Sequence, residues 1–270
     1  MAHDRLGRRS RFRRMPTGKR LFLTERDTEI LRLLYRYRYL RAPQLVAFLR
    51  PRSEKRFIER LGDLYHEAGL IGRPAAQWRR FDARYAPLIH ELSLKGLSYL
   101  ETCGPLPDRA VTFACKDRSG VTPQFDHAMM IVDALAAVEL ETVRTPAQRF
   151  VPVDEILARA PERTRNAKQP LAIPVTIPPN KHLPGLTTPL NTRVVPDAIY
   201  GIEHLIDGER RYRFHALECE NTSPKRRSTA KLSSLALKQA GYEAIARTQA
   251  YRGLGIPNLT LRIVDRKAVP

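Results

Sequence analysis

The chain of 270 residues carries 47 Lys and Arg against 28 Asp and Glu, a formal net charge of +19, with 43% hydrophobic residues. That is enough apolar material for one large or two ordinary domains, and the charge favours a polyanionic partner. No apolar run approaches a membrane span, the basic N-terminus lacks the apolar core of a signal peptide, and Cys103, Cys115 and Cys219 form no CxxC pair. A zinc ribbon or disulfide framework is thereby disfavoured, and a reducing cytoplasm fits.

Residues 1–20 form a basic tail in which Arg11, Arg13 and Arg14 are among eight cations facing the lone acid Asp4. Such a tail is expected to be disordered alone and to meet phosphates or a minor groove; a merely solubilising tail is the alternative. Thr24-Glu25-Arg26-Asp27 predicts a helix start, with Thr24 as N-cap and an acid three residues on. Ile30, Leu31, Leu34 and Tyr37 follow at helical spacing. Pro43 opens a second helix through Leu49, and Ser53 caps a third with Phe57, Leu61, Leu64 and Ala68 on one face, ended by Gly69. An extended segment from Leu70 through Trp78-Arg79-Arg80-Phe81 to Ser93, then a helix at Leu94–Leu100, completes residues 21–104.

Short helices followed by a basic hairpin are the order of a winged helix-turn-helix. The third helix would then enter the major groove of double-stranded DNA with Arg52, Lys55, Arg56 and Arg60, while Arg73, Arg79, Arg80 and Arg84 form the wing. The alternative is a solvated basic face, or a winged helix used for dimerisation. Pro105, Pro107 and Asp108 mark a linker over residues 105–123.

Residues 124–270 read as a second, α/β domain, so the fold class expected for the whole chain is α+β/α/β. Phe125 to Thr142 is a strong helix carrying Asp126, His127, Asp133 and Glu139; His127 is expected to be a packed or capping residue. A strand near Phe150 precedes a Pro-rich insertion around residues 160–193, expected to be a long loop. Val194 to Asn221 then reads as two strands joined by the turn Asp207-Gly208-Glu209. Asp197 begins the first strand; Glu218 and Glu220, two apart, share a face at the end of the second. Converging carboxylates repel one another unless a hard cation or a basic group joins them, which makes Asp197, Glu218 and Glu220 candidate Mg²⁺ ligands. A basic loop at Lys225-Arg226-Arg227, a helix from about Ser228 to Arg252 and a strand at Asn258–Val264 close the chain.

The order helix, strand, hairpin strands, helix, strand, with Pro196-Asp197 and Glu218-Cys219-Glu220, resembles the PD-(D/E)XK nuclease-like core. The whole chain is similar to the replication-relaxation family, which includes plasmid mobilisation proteins of the MobC type. Leu23-Thr24-Glu25-Arg26-Asp27, Leu61 with Leu64, Gly69-Leu70-Ile71, Leu92-Ser93-Leu94-Lys95-Gly96, His127, Pro196-Asp197-Ala198 and Lys238 with Tyr242 carry that likeness. It implies a relaxosome-type accessory factor in bacterial plasmid mobilisation or replication. Such a factor would be nucleoid- or plasmid-associated, would bind double-stranded DNA without a required cofactor, and would have a relaxase or replication protein, or a second copy, as partner. The nuclease pattern places Lys where this chain has Glu220; Lys231 or Lys238 of the following helix is the candidate replacement. Three functions stay open: a non-catalytic DNA-binding accessory protein, a Mg²⁺-dependent endonuclease using Asp197, Glu218, Glu220 and Lys238, and a winged-helix transcription regulator.

Overall fold

The computed structural model describes residues 9–79, 85–107, 123–179, 183, 185–220 and 235–265. It is a mixed α/β chain that divides into two compact units, Met1–Phe125 and Asp126–Pro270. Among the described residues no helix is long and apolar enough to cross a membrane.

In the first unit α1 (Glu25–Tyr37) starts at the capping box foreseen at Thr24: Asp27 N–H donates to the Thr24 hydroxyl, and Thr24 N–H donates to Asp27 Oδ2 at 2.8 Å. β1 (Tyr39–Arg41), α2 (Ala42–Leu49) and α3 (Glu54–Asp63) follow, with Ser53 capping α3 through Arg56 N–H. α3 runs on into a π-helical turn, Leu64–Ala68, ended by Gly69 at φ 66°. β2 (Ile71–Gly72) and β3 (Ile89–Leu92) join β1 in an antiparallel sheet of order β1-β3-β2. α4 (Leu94–Thr102) is capped by Ser93. Gly96 of α4 sits so close to the Leu70 carbonyl that a Cβ there would collide with it, which is why the helix can lie against that strand only with glycine. Ile30, Leu31, Leu34, Leu45, Leu61, Leu64, Ile71 and Ile89 are buried in its core.

Two expectations for this unit need correction. Residues 9–20 of the tail are ordered by the helices they follow in space: Arg9 bridges Asp63 (3.0 Å) and Glu67 (2.8 Å), and Lys19 reaches Asp63 at 2.6 Å. Asp63 ends α3 and Glu67 lies in the turn that follows it, and they supply the anionic partners for a tail whose own lone acid is Asp4. The expected extended run around Trp78 is instead a 3₁₀ turn, Ala75–Arg79. The buried Gln77 carboxamide accepts from Ile89 N–H at 3.0 Å and donates to Ile89 C=O at 2.8 Å, so a side chain takes the place of a neighbouring strand.

The second unit is built on α5 (Pro123–Arg144), β4 (Gln148–Val151), β7 (Ala198–Ile206), β8 (Glu209–Glu220), α8 (Leu235–Thr248) and β9 (Thr260–Asp265). Between β4 and β7 lie α6 (Val153–Ala158), α7 (Glu162–Arg165), β5 (Ile173–Ile177) and β6 (Leu190–Val194). The main sheet has order β4-β7-β8-β9; β4, β7 and β8 are antiparallel and β9 runs parallel to β8. Asp207 (φ 52°) and Gly208 (φ 80°) make the tight turn between β7 and β8 in the left-handed conformations that an Asp-Gly hairpin supplies. The Pro-rich insertion is not a bare loop: β5 and β6 pair as a hairpin, with Ile173, Val175 and Ile177 buried and Pro174 and Thr176 exposed. That period-two alternation was a strand signal obscured by the prolines. These three side chains join Val151, Ile199, Phe214, Ala216, Tyr242 and Ile245 in one core, fixing α8 over one face of the sheet. α8 ends at Thr248, short of Arg252, because Gln249 takes φ 54° and a 3₁₀ turn, Ala250–Leu254, follows. Residues 225–231, including the basic loop and Lys231, lie outside the described residues.

Candidate functional site

The acids singled out at the end of β8 do converge with Asp197, which immediately precedes β7. The register sets Ala198 opposite Leu217, so Asp197 falls beside Glu218. Asp197 Oδ2 accepts Cys219 N–H at 2.8 Å and lies 3.2 Å from His127 Nε2, supplied by α5. The same Nε2 is 2.9 Å from the Cys219 carbonyl. A carbonyl only accepts, so Nε2 carries the proton and the tautomer is set by β8 itself. His127 is thus a paired residue at the acid cluster, more than the packed or capping side chain expected.

Glu218 is 1% exposed. Its Oε2 accepts from Lys238 Nζ at 2.7 Å and its Oε1 from the Tyr242 hydroxyl at 2.6 Å, both on α8. Lys238 and Tyr242 are four apart, so one helix face delivers both donors. Lys238 also reaches Glu220 Oε1 at 3.3 Å. Of the two lysines singled out in the following helix, Lys238 reaches this cluster, and Lys231 lies outside the described residues. Tyr242 was legible only as a motif partner of Lys238, since nothing in an aromatic residue's spacing distinguishes a carboxylate donor from a core residue.

The electrostatics follow from burial and pairing. Burial and the Asp197 charge push the Glu218 carboxyl above its ordinary range, with Lys238 and Tyr242 opposing them. Asp197 is shifted downward: burial alone would raise it, but the His127 hydrogen bond and charge, Cys219 N–H and Lys238 outweigh that. Burial disfavours the Lys238 ammonium, yet Glu218, Asp197 and Glu220 hold it charged well above its usual range. The Cys219 thiol is pushed up to about 12 by burial and the surrounding carboxylates, so it is no nucleophile here.

Each oxygen of Glu218 already accepts one hydrogen bond, so a hard cation there would compete with Lys238 and Tyr242 for their lone pairs. Among the described residues no three His, Cys, Asp or Glu side chains gather as a metal cage. As arranged, the Lys238 ammonium, the His127 imidazole and the Tyr242 hydroxyl already engage the carboxylates of Asp197, Glu218 and Glu220.

His127 gives this cluster a pH signature. Its hydrogen bond to Asp197, in first place, raises its pKa above the ordinary 6.5, against the effect of burial. The native state then binds this proton more tightly than the unfolded chain, so the contribution is complete below about 6.5 and is lost as pH rises through the folded value. Asp197 runs the other way: its contribution holds above about 3.9 and is lost on acidification. We expect His127→Gln to flatten the fall in Tm between about pH 6 and 8, measured by thermal melts across that range. Parallel wild-type and variant profiles would refute the pairing.

The DNA-facing candidates separate sharply. Arg52, Lys55 and Arg56 are exposed; Lys55 and Arg56 lie on the side of α3 away from the buried Phe57 and Leu61, and Arg52 lies in the turn before the helix. Arg60, expected beside them, is instead turned inward: Nε and Nη2 clasp the two oxygens of Asp27 at 2.9 and 2.6 Å, and Nη2 also donates to Phe22 C=O. Arg73, expected in the wing, is 9% exposed, lies 3.9 Å over the Tyr65 ring and donates to the Arg11 carbonyl. Burial, opposed by Tyr65 and reinforced by Arg11 and Arg9, lowers its pKa to about 10. In the tail, Arg11 donates to Ala86 C=O, and Arg14, exposed like Arg13, donates to the carbonyls of His66 and Glu67. The side chains of Arg79, Arg80 and Arg84 lie outside the described residues.

Comparison with protein-family models, with curated proteins and with solved structures returned no significant match.

Proposed function

We propose that this chain is a non-catalytic accessory protein that binds double-stranded DNA in bacterial plasmid mobilisation or replication. Its first unit would be a winged helix-turn-helix and its second a PD-(D/E)XK-like core. The observation that carries the reading is the start of α3, where Lys55 and Arg56 stand exposed on the side away from its buried apolar face, with exposed Arg52 in the turn just before the helix. The order β1-β3-β2, with α2 and α3 between the first two strands in the chain, supports the winged-helix reading. In the second unit, helix, three antiparallel strands, helix and a parallel last strand support the nuclease-like one. Mg²⁺ is not required for this function. A relaxase or replication protein, or a second copy, is the expected partner, and the bacterial cytoplasm the expected compartment.

An endonuclease is the second reading, favoured by Lys238 lying 2.7 Å from Glu218 beside Asp197. One set of assays separates the two. Fluorescence anisotropy with a labelled duplex should show Arg52→Ala/Lys55→Ala/Arg56→Ala weakening binding by about 10²-fold and lowering the salt slope by about 3. Unchanged affinity in that triple variant would overturn the α3 reading. Supercoiled plasmid incubated with Mg²⁺ or Mn²⁺ should remain supercoiled; metal-dependent nicking that disappears in Asp197→Ala would establish the nuclease instead. Footprints on promoter rather than origin-like fragments would favour a transcription regulator.

A further inference from the structure

One face of the second unit's sheet gathers cations, while the other holds acids together with Arg149 and Arg210, which pair with Glu203. Pleating places Arg211, Arg213 and His215 of β8 on one side and residues 212, 214, 216, 218 and 220 on the other. The register puts His204 opposite Arg211, Tyr200 opposite His215, and Arg262 of β9 beside Leu217, all on the first side. Glu203, paired with Tyr212, and Asp265, paired with Glu220, fall with Glu218 on the second side. Glu209 is the acid of β8 on the cationic side; it lies 3.5 Å from Arg211, and both side chains are more than 60% exposed, so the pair is weak.

The cations are close enough to feel one another. Burial, and then the charges of Arg262, Arg213 and His204, hold the His215 imidazole below its ordinary pKa. Tyr200 organises the centre: it stacks between Phe150 (5.7 Å) and His215 (5.0 Å) and accepts a hydrogen bond from Arg262 at 3.2 Å. Among the described residues, buried His204 Nε2 has no hydrogen-bond partner. Arg211, Arg213 and Arg262 are exposed, and among the described residues no carboxylate is bonded to Arg213 or Arg262. Like charges held together on a rigid sheet repel, and a polyanion laid over them relieves that cost.

We propose that this face, centred on Arg211, Arg213 and Arg262, is a second DNA-contacting surface that grips the phosphate backbone. Guanidinium groups on a strand surface suit phosphate oxygens, and among the described residues no helix or loop projects from it to read bases, so its contribution is sequence-independent. The inference rests on the DNA-binding reading above and adds the second unit to the footprint.

The test uses the full chain, a labelled duplex of about 30 base pairs and salt between about 50 and 200 mM. Arg211→Gln/Arg213→Gln is expected to weaken binding about tenfold and to lower the salt slope by about 2, equally for unrelated sequences. Arg211→Lys/Arg213→Lys, which keeps the charge, should retain affinity to within about threefold. Thermal melts matching wild type exclude misfolding as the cause. If the wild type binds and the glutamine pair leaves affinity and slope unchanged, this surface is refuted while the α3 reading stands. If the wild type itself binds no duplex at low salt, the DNA-binding reading fails and this inference falls with it.

Discussion

Lys238→Ala is expected to destabilise the second unit by about 2–4 kcal/mol, seen as a lowered urea midpoint for that unit's transition. Removing one member of a buried pair costs about 3–5 kcal/mol, and the lower figure allows for the partial solvent screening of Lys238, whose side chain is 34% exposed. The cost arises because Glu218 remains, 1% exposed and beside Asp197, with only Tyr242 to stabilise its charge. Glu218→Gln in the same background should recover about half of the loss, since the buried charge is gone and the amide still accepts from Tyr242. A double variant no more stable than Lys238→Ala would mean the lysine acts through packing alone. The same experiment bears on function: a lysine that holds acids together as a strut gives a large stability effect and no change in duplex affinity.

Arg60→Ala should destabilise the first unit by about 3 kcal/mol. Asp27 is 1% exposed, and it serves twice, as the return arm of the α1 capping box and as the anion clasped by Arg60. Its pKa is lowered: burial opposes ionisation, but the Arg60 hydrogen bonds and the Thr24 contacts prevail. Deleting Arg60 removes both forks at once and leaves Asp27 buried with the Thr24 contacts alone. Arg60→Lys should restore less than half, because a point charge cannot match two carboxylate oxygens together. Duplex affinity measured well below the melting temperature should stay within about twofold of wild type. A large specific loss of affinity with unchanged stability would return Arg60 to the DNA-contacting set.

Local features of this fold were legible from single stretches of chain. Thr24 with Asp27, and Ser53, cap their helices as neighbours three residues away dictate, and Asp207-Gly208 turns β7 into β8 because few residue pairs tolerate two positive φ angles. The two-residue spacing of Glu218 and Glu220 likewise put both on one face of a strand. What misled were stretches with mixed signals. Prolines masked the alternation of Ile173, Val175 and Ile177, and Gln77 made a strand-like pairing from a turn that no periodicity records.

The charge of the chain, its apolar periodicities and its capping residues can be read without its tertiary structure, so the sequence by itself determined the cationic excess, the helices of the first unit and the acid-bearing hairpin of the second. Which charges remain available was decided by tertiary structure alone. Arg56 and Arg60 sit one helical turn apart on α3, yet one is exposed and the other closes on Asp27, 33 positions away. Glu218 likewise acquires Lys238 from 20 positions down the chain, and His127 meets the Cys219 carbonyl across 92. The physical reason is that an ion pair depends on where packing places two backbones, and local sequence carries no information about the far partner.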